Sequence, residues 1–215
     1  VSSQLAFESI EQEAAQAAHG AALAYLQAHR ARYLDYAQAI EPDRRDWRAI
    51  WDRLAFAILS ANTTVNLAVQ ALRRLRAFRG HAPRVSIPGI VPAKIDFLNA
   101  LPRTDIRELL RQPKESWGSY RSRLTAVPGL ALTKASYAAC LLYPLTADVA
   151  CLDLWVQRFL TGVVQPSPPA VRYLALEDQI RREFARPARV SVALAQWAIW
   201  DYARTRRPTP QRFFD

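Results

Sequence analysis

Residues 127–160, "VPGLALTKASYAACLLYPLTADVACLDLWVQRFL", decide how the chain is read. The stretch is apolar and helix-forming, yet it carries Lys134 near its start and Asp153 near its end, with Pro128-Gly129 just before the lysine. Proline presets φ at the second position of a tight turn and glycine accepts φ > 0 at the third, so a turn is expected there. A helix over about 133–143 and another starting near Asp153 follow from the apolar spacing. Together with a helix over 115–124, this makes a helix, a short glycine-containing hairpin and a second helix. Such an element aims hairpin amides and a helix N-terminus at one place, which attracts phosphate oxygens. The same pattern also serves as a plain corner between two helices.

Lys134 falls in the first turn of a helix that is otherwise apolar through Ala135, Tyr137, Ala138, Ala139, Leu141 and Leu142. An ammonium there opposes the helix macrodipole, which suits an amine that must attack as a nucleophile. Equally, a lysine can lay its stem over apolar neighbours and reach water. Asp153 reads first as an N-cap, a structural role. If the helices on either side of "YPLTADVAC" fold back as an antiparallel pair, Asp153 approaches Lys134, and a carboxylate beside an amine can stabilise positive charge on a sugar ring and manage protons.

Working outward, residues 5–39 are rich in Ala, Leu, Gln and Glu and predict one long helix or two in tandem, with Gly20 the strong breaker. "EPDRRDW" interrupts it, and Asp43 or Asp46 can cap a helix that presents Ile50, Leu54, Ala57 and Ile58 on one face and ends near Ser60. "SANTT" then turns into a helix with Leu67, Ala71, Leu72 and Leu75 inside and Arg73, Arg74 and Arg76 outside. A proline-bearing loop over 81–92 precedes short helices over about 93–101, 104–111 and 115–124. After a linker-like "VVQPSPPA", helices over 170–185 and 190–205 close the pattern. No period-2 strand pattern and no internal repeat interrupts it, so the class is all-α.

The 215 residues and 51% hydrophobic content suffice for one medium domain or two small lobes sharing a core. A formal charge of +10 favours a polyanionic partner, since neutralising phosphates releases condensed counterions. A basic surface with no ligand is the alternative. No apolar run is long enough for a membrane span, so an intracellular protein, cytoplasmic and nucleoid-associated or nuclear, is expected. Cys140 and Cys151 make no disulfide framework, and His19, His29 and His81 give no zinc or iron–sulfur spacing.

"SANTT" after an apolar helix, "VPGLALTKA" and "CLDLWVQR" together resemble the helix-hairpin-helix DNA glycosylase superfamily, the group of endonuclease III and the eukaryotic 8-oxoguanine glycosylases. In that family a Leu-Pro-Gly-Val-Gly-x-Lys hairpin carries a catalytic lysine and Val-Asp-x-His-Val-x-Arg a catalytic aspartate. The resemblance covers roughly residues 47–160. It implies a two-lobed helical fold with a cleft between the lobes, one lobe over 47–129 and the other from 1–46 plus 130–215. It further implies a monomer acting on double-stranded DNA by base flipping, with no cofactor.

Carried over residue by residue, Lys134 matches the nucleophile and Asp153 the aspartate, 19 residues on. Val156 and Arg158 match the positions that follow. Asn62 matches a polar residue that reaches into the duplex beside the flipped nucleotide or its orphaned partner, although it also reads as a helix cap. Gly129 and Ala131 would hold a phosphate through the hairpin backbone, helped by Arg121 and Arg123. Trp117, Tyr137 and Trp155 are candidate stacking surfaces for an extruded base, or core residues.

The departures are specific. Ala131 stands near the place of the hairpin's second glycine, one residue is inserted before Lys134 relative to the family motif, and a one-residue slip puts Thr133 at the lysine position. That slip would imply a monofunctional enzyme in which Asp153 supports attack by water. Trp155 replaces a histidine, and the four-cysteine cluster of endonuclease III is absent, so no iron–sulfur centre is implied. An enzyme of hypermodified bases, such as those of bacteriophage genomes, and a DNA-binding module without catalysis are the rival readings. An oxidised purine, an oxidised pyrimidine and a modified pyrimidine are the candidate bases.

Overall fold

The computed structural model describes residues 2–78, 87–101, 106–165, 168–208 and 214. Among them there is no strand. The helices are α1 (Ser2–Ala28), α2 (Arg30–Ile40), α3 (Trp47–Leu59), α4 (Val65–Leu75), α5 (Pro92–Ala100), α6 (Trp117–Leu124), α7 (Leu132–Leu142), α8 (Leu154–Thr161), α9 (Ala170–Ile180), α10 (Arg186–Ala188) and α11 (Val192–Arg204). Short 3-10 turns cover Arg76–Phe78 and Ile106–Leu109. Residues 81–86 of the loop expected over 81–92 and the first two residues of the helix expected over 104–111 lie outside the described residues.

Two helices organise the core. In α3 every residue from Ile50 to Leu59 is buried, so the helix has no solvent face and even its charged members need partners. Asp52 pairs with Arg76 at 3.1 Å, while Arg53 donates to the Ile40 carbonyl and lies 4.0 Å from the centre of the Phe214 ring. Arg76, expected outside, is therefore turned inward by a buried carboxylate. Asp46 starts the helix by accepting from the Arg48 N–H at 2.9 Å. α3 packs on α4, α5 and α7.

α11 is the second organiser, packed on α1, α2, α8 and α9, and Ser191 caps it through the Leu194 N–H at 3.1 Å. The Tyr33 hydroxyl reaches buried Asp201 at 2.7 Å and fastens α2 to it. α1 and α2 break at His29, whereas Gly20 stays helical, because neighbouring turns outweigh the modest cost of one interior glycine. α9 continues past its expected end through a π turn, Arg181–Ala185, into α10. Pro187 has no N–H to give there, which favours the register shift.

α6 and α7 pack together across the predicted hairpin. The Leu130 N–H donates to the Val127 carbonyl at 3.0 Å, closing the Pro128-Gly129 turn. Gly129 has φ +84°, and a Cβ built there would lie 2.7 Å from Phe97 Cδ2 and 3.3 Å from Ile58 Cγ2. The turn thus needs glycine twice over: for the left-handed backbone, and for close docking against α5 and α3.

Candidate active site

α7 is entered through Ala131, whose side chain offers no acceptor to the first-turn amides, unlike the capping residues of α3, α4, α6, α8 and α11. Lys134 stands in that first turn and points toward the end of α3. Its Nζ donates to the Ser60 carbonyl at 3.2 Å and the Ser60 hydroxyl at 3.0 Å, and lies 5.3 Å from the centre of the Tyr137 ring. It does not extend into bulk water.

After α7 the chain turns at Tyr143–Thr146 and runs back past the helix without regular secondary structure. The Cys140 thiol donates to the Val149 carbonyl at 3.3 Å and fixes that course. Asp153, at its end, caps α8 by accepting from the N–H groups of Trp155 at 3.0 Å and Val156 at 2.9 Å. Burial pushes its carboxyl above the ordinary aspartate value. The Val156 N–H, the Lys134 charge, the Trp155 N–H and a hydrogen bond from the Trp200 indole act in the opposite direction. The cap and the lysine therefore occupy one neighbourhood. Lys134 also acts on the Cys151 thiol, which burial drives up to about 12 and so keeps protonated at neutral pH.

The remaining predicted residues divide. Asn62 is exposed at the apex of the turn after α3, with φ +49°. Thr64 caps α4 through the Leu67 N–H, so the capping role read for Asn62 belongs to its neighbour. Tyr137 is half-buried between Lys134 and Phe56, 6.1 Å ring to ring. Trp155 and Arg158 are exposed on α8, the guanidinium 5.5 Å from the indole centre.

Arg121 and Arg123 must be corrected. Arg121 turns into the protein, 5% exposed, and its guanidinium meets Glu177 at 2.6 Å beneath the Tyr173 ring. Arg123 is held by Glu115 at 2.8 Å and by the carbonyls of Glu108 and Leu110. Both guanidinium groups are engaged by carboxylates and leave the hairpin backbone to meet a phosphate without them. Trp117 also moves: it packs with Tyr120 and Tyr143 under Arg111, and lines a cavity of about 460 Å³ with Arg121, Glu177 and Arg181, to which neither Lys134 nor Asp153 contributes. It is no wall for a base at Lys134.

Sequence reasoning passed over Trp200, Ser60 and Lys94. Trp200 lies 47 residues after Asp153 in an ordinary helical pattern, with no local signal. Lys94, with its proline-flanked helix start, reads as a surface lysine but is 7% exposed and donates to the Leu59 and Ala61 carbonyls and the Thr63 hydroxyl. Among the described residues no His, Cys, Asp and Glu cluster is placed to hold a metal ion, and no helix is long and apolar enough to cross a membrane.

No model of a known protein family matches the sequence, and no curated protein matches it. Solved structures do match the fold. The 8-oxoguanine glycosylase/lyase of Methanocaldococcus jannaschii, in complex with a 15mer DNA containing 8-oxoguanine, superposes with a TM-score of 0.73 at 17% identity, over 87% of this chain and 97% of that one. The 8-oxoguanine DNA glycosylase of Thermotoga maritima gives 0.71 at 16% identity over 90% and 99%. A further M. jannaschii 8-oxoguanine DNA glycosylase structure gives 0.65 at 15% identity over 92% and 96%. The fold of this chain is therefore that of the helical 8-oxoguanine DNA glycosylases.

Proposed function

We propose that the protein is a DNA glycosylase with lyase activity that excises an oxidised purine, 8-oxoguanine first among the candidates, from duplex DNA. The observation that carries this reading is the gathering of Lys134 and Asp153 at the mouth of the helix-hairpin-helix element, on a fold shared with proteins of that activity. The duplex would lie across the cleft between the lobes formed by 47–129 and by 1–46 plus 130–215. One nucleotide would be extruded toward Lys134. The backbone amides of Gly129 and Ala131 and those at the start of α7 would take a phosphate, and exposed Arg158 would add charge.

In the chemical step Lys134 first gives a proton to the Asp153 carboxylate, and its Nζ then attacks C1′ of the deoxyribose as the bond from C1′ to the base nitrogen breaks. The base leaves with that electron pair and takes up a proton. Loss of a proton from Nζ with opening of the sugar ring gives an imine, from which removal of a C2′ proton expels the 3′ phosphate. Water then releases the sugar remnant and restores the amine. Asp153, held by two backbone amides and the Trp200 indole, faces the positive charge that develops on the sugar and relays protons. The Ser60 contacts hold Lys134 until a nucleotide displaces them.

A base-release assay on duplexes carrying 8-oxoguanine opposite each of the four bases tests the reading. Release by the wild type, abolished in Lys134→Gln and in Asp153→Asn, is expected. Release that survives Lys134→Gln but not Asp153→Asn would mean water attack instead. Tight duplex binding with no release from any oxidised or modified base would mark a binding module.

A further inference from the structure

The turn after α3 is gripped from behind by two ammonium groups on neighbouring residues. Lys134 takes the carbonyl and hydroxyl of Ser60; Lys94 takes the carbonyls of Leu59 and Ala61 and the hydroxyl of Thr63. The chain has only three lysines among its 29 basic residues, so two of the three converge on these four residues. Burying a lysine is costly unless its donors are used, and here all three N–H groups of Lys94 have an acceptor. The Leu59 carbonyl it covers belongs to the negative end of α3, where a cation is favoured. Burial and the nearby Lys134 charge both lower its proton affinity below the ordinary lysine value.

What this grip displays is Asn62. It is the exposed apex of the turn, and its φ of +49° is a left-handed conformation that asparagine accepts more readily than other non-glycine residues. A solvent-facing amide on a turn held by a buried ammonium is pre-organised to meet a partner.

We infer that Lys94 is a positioning residue of the DNA site: its ammonium fixes the Ser60–Thr64 turn so that Asn62 is presented to the duplex while Ser60 is presented to Lys134. The inference rests on the glycosylase reading for its chemical arm, but not for its binding arm. One grip then serves both the probe of the helix and the parking place of the nucleophile.

Duplex affinity for an abasic-site oligonucleotide and single-turnover base release are measured for wild type, Lys94→Met, Asn62→Ala and the double variant, with thermal melting alongside. Lys94→Met is expected to weaken binding about tenfold and, by misplacing reacting groups, to slow release about a hundredfold. If Lys94 acts through Asn62, the double variant binds no more weakly than the worse single variant, whereas independent structural damage adds. Folded Lys94→Met with affinity and rate within about twofold of wild type, or additive losses, overturns the inference. Should Lys94→Met fail to fold, Thr63→Val removes one acceptor and carries the same comparison. A joint tenfold loss that is non-additive with Asn62→Ala supports the inference, and unchanged binding refutes it. If the wild type releases no base, the glycosylase reading fails on its own while the binding arm still decides the role of Lys94.

Discussion

Replacing Arg121 with methionine separates a buried structural cation from a DNA contact. The guanidinium and the Glu177 carboxylate meet at 2.6 Å with side chains only 6% and 5% exposed, and Glu177 also accepts the Ala150 N–H at 2.8 Å. Arg121→Met leaves that carboxylate buried without its cation, a loss of about 3–5 kcal/mol when one partner of such a pair is removed. For a chain of this size 1 kcal/mol moves the melting temperature about 2–4 °C, so a fall of about 6–20 °C is expected. Burial already raises the Glu177 carboxyl above the ordinary glutamate value, against the opposing charge of Arg121. Its protonated form is therefore favoured in the folded state. Stability tied to such a group is present at low pH and is lost as pH rises through its folded value, so the deficit of Arg121→Met grows from acid to alkaline buffer. Glu177→Gln added to Arg121→Met keeps an acceptor for Ala150, removes the stranded charge and should recover part of the loss. Thermal melting across pH, paired with duplex binding below the melting range, is the assay. A melting temperature within about 2 °C of wild type together with a tenfold weaker duplex would refute the buried-pair reading and return Arg121 to the phosphates.

Two other substitutions probe the hairpin and the carboxylate. Gly129→Ala forces a Cβ to 2.7 Å from Phe97 at φ +84°, so a loss of about 2–4 kcal/mol in denaturant unfolding is expected from backbone and overpacking together, with weaker duplex binding. Unchanged stability would mean that the turn relaxes freely. Asp153→Asn keeps an oxygen for the Trp155 and Val156 amides but removes a carboxylate that burial disfavours, so it should melt higher than wild type at pH 8 while losing activity. Because the folded carboxyl sits above its unfolded value, that gain shrinks as pH falls through this window and vanishes below it. A variant that melts lower than wild type at pH 8 would show that the charge stabilises the cap.

The helices were legible because they rest on local rules: Asp46 and Asp153 announce starts, and Pro128-Gly129 announces the hairpin. The nearness of Lys134 to Asp153 was legible only as a condition, that the chain after α7 folds back, and through motif resemblance, since nothing local says that this run doubles back along the helix. The arginines were misplaced for a physical reason. On one strand of text Arg121 and Arg123 flank a phosphate-binding turn, and the acids that engage them, Glu177 and Glu115, are 56 and 8 residues away. Lys94 failed in the same way, because the carbonyls it meets belong to the last residue of α3 and to the turn after it. Charge in a sequence says little about which cations are already answered.

Borohydride reduction of the protein on an 8-oxoguanine duplex, followed by peptide mass mapping, bears most directly on the proposed chemistry. A covalent sugar adduct on Lys134, absent from Lys134→Gln, is the expected result. Base release without any trapped adduct, or an adduct carried by Lys94 or Lys114, would contradict it.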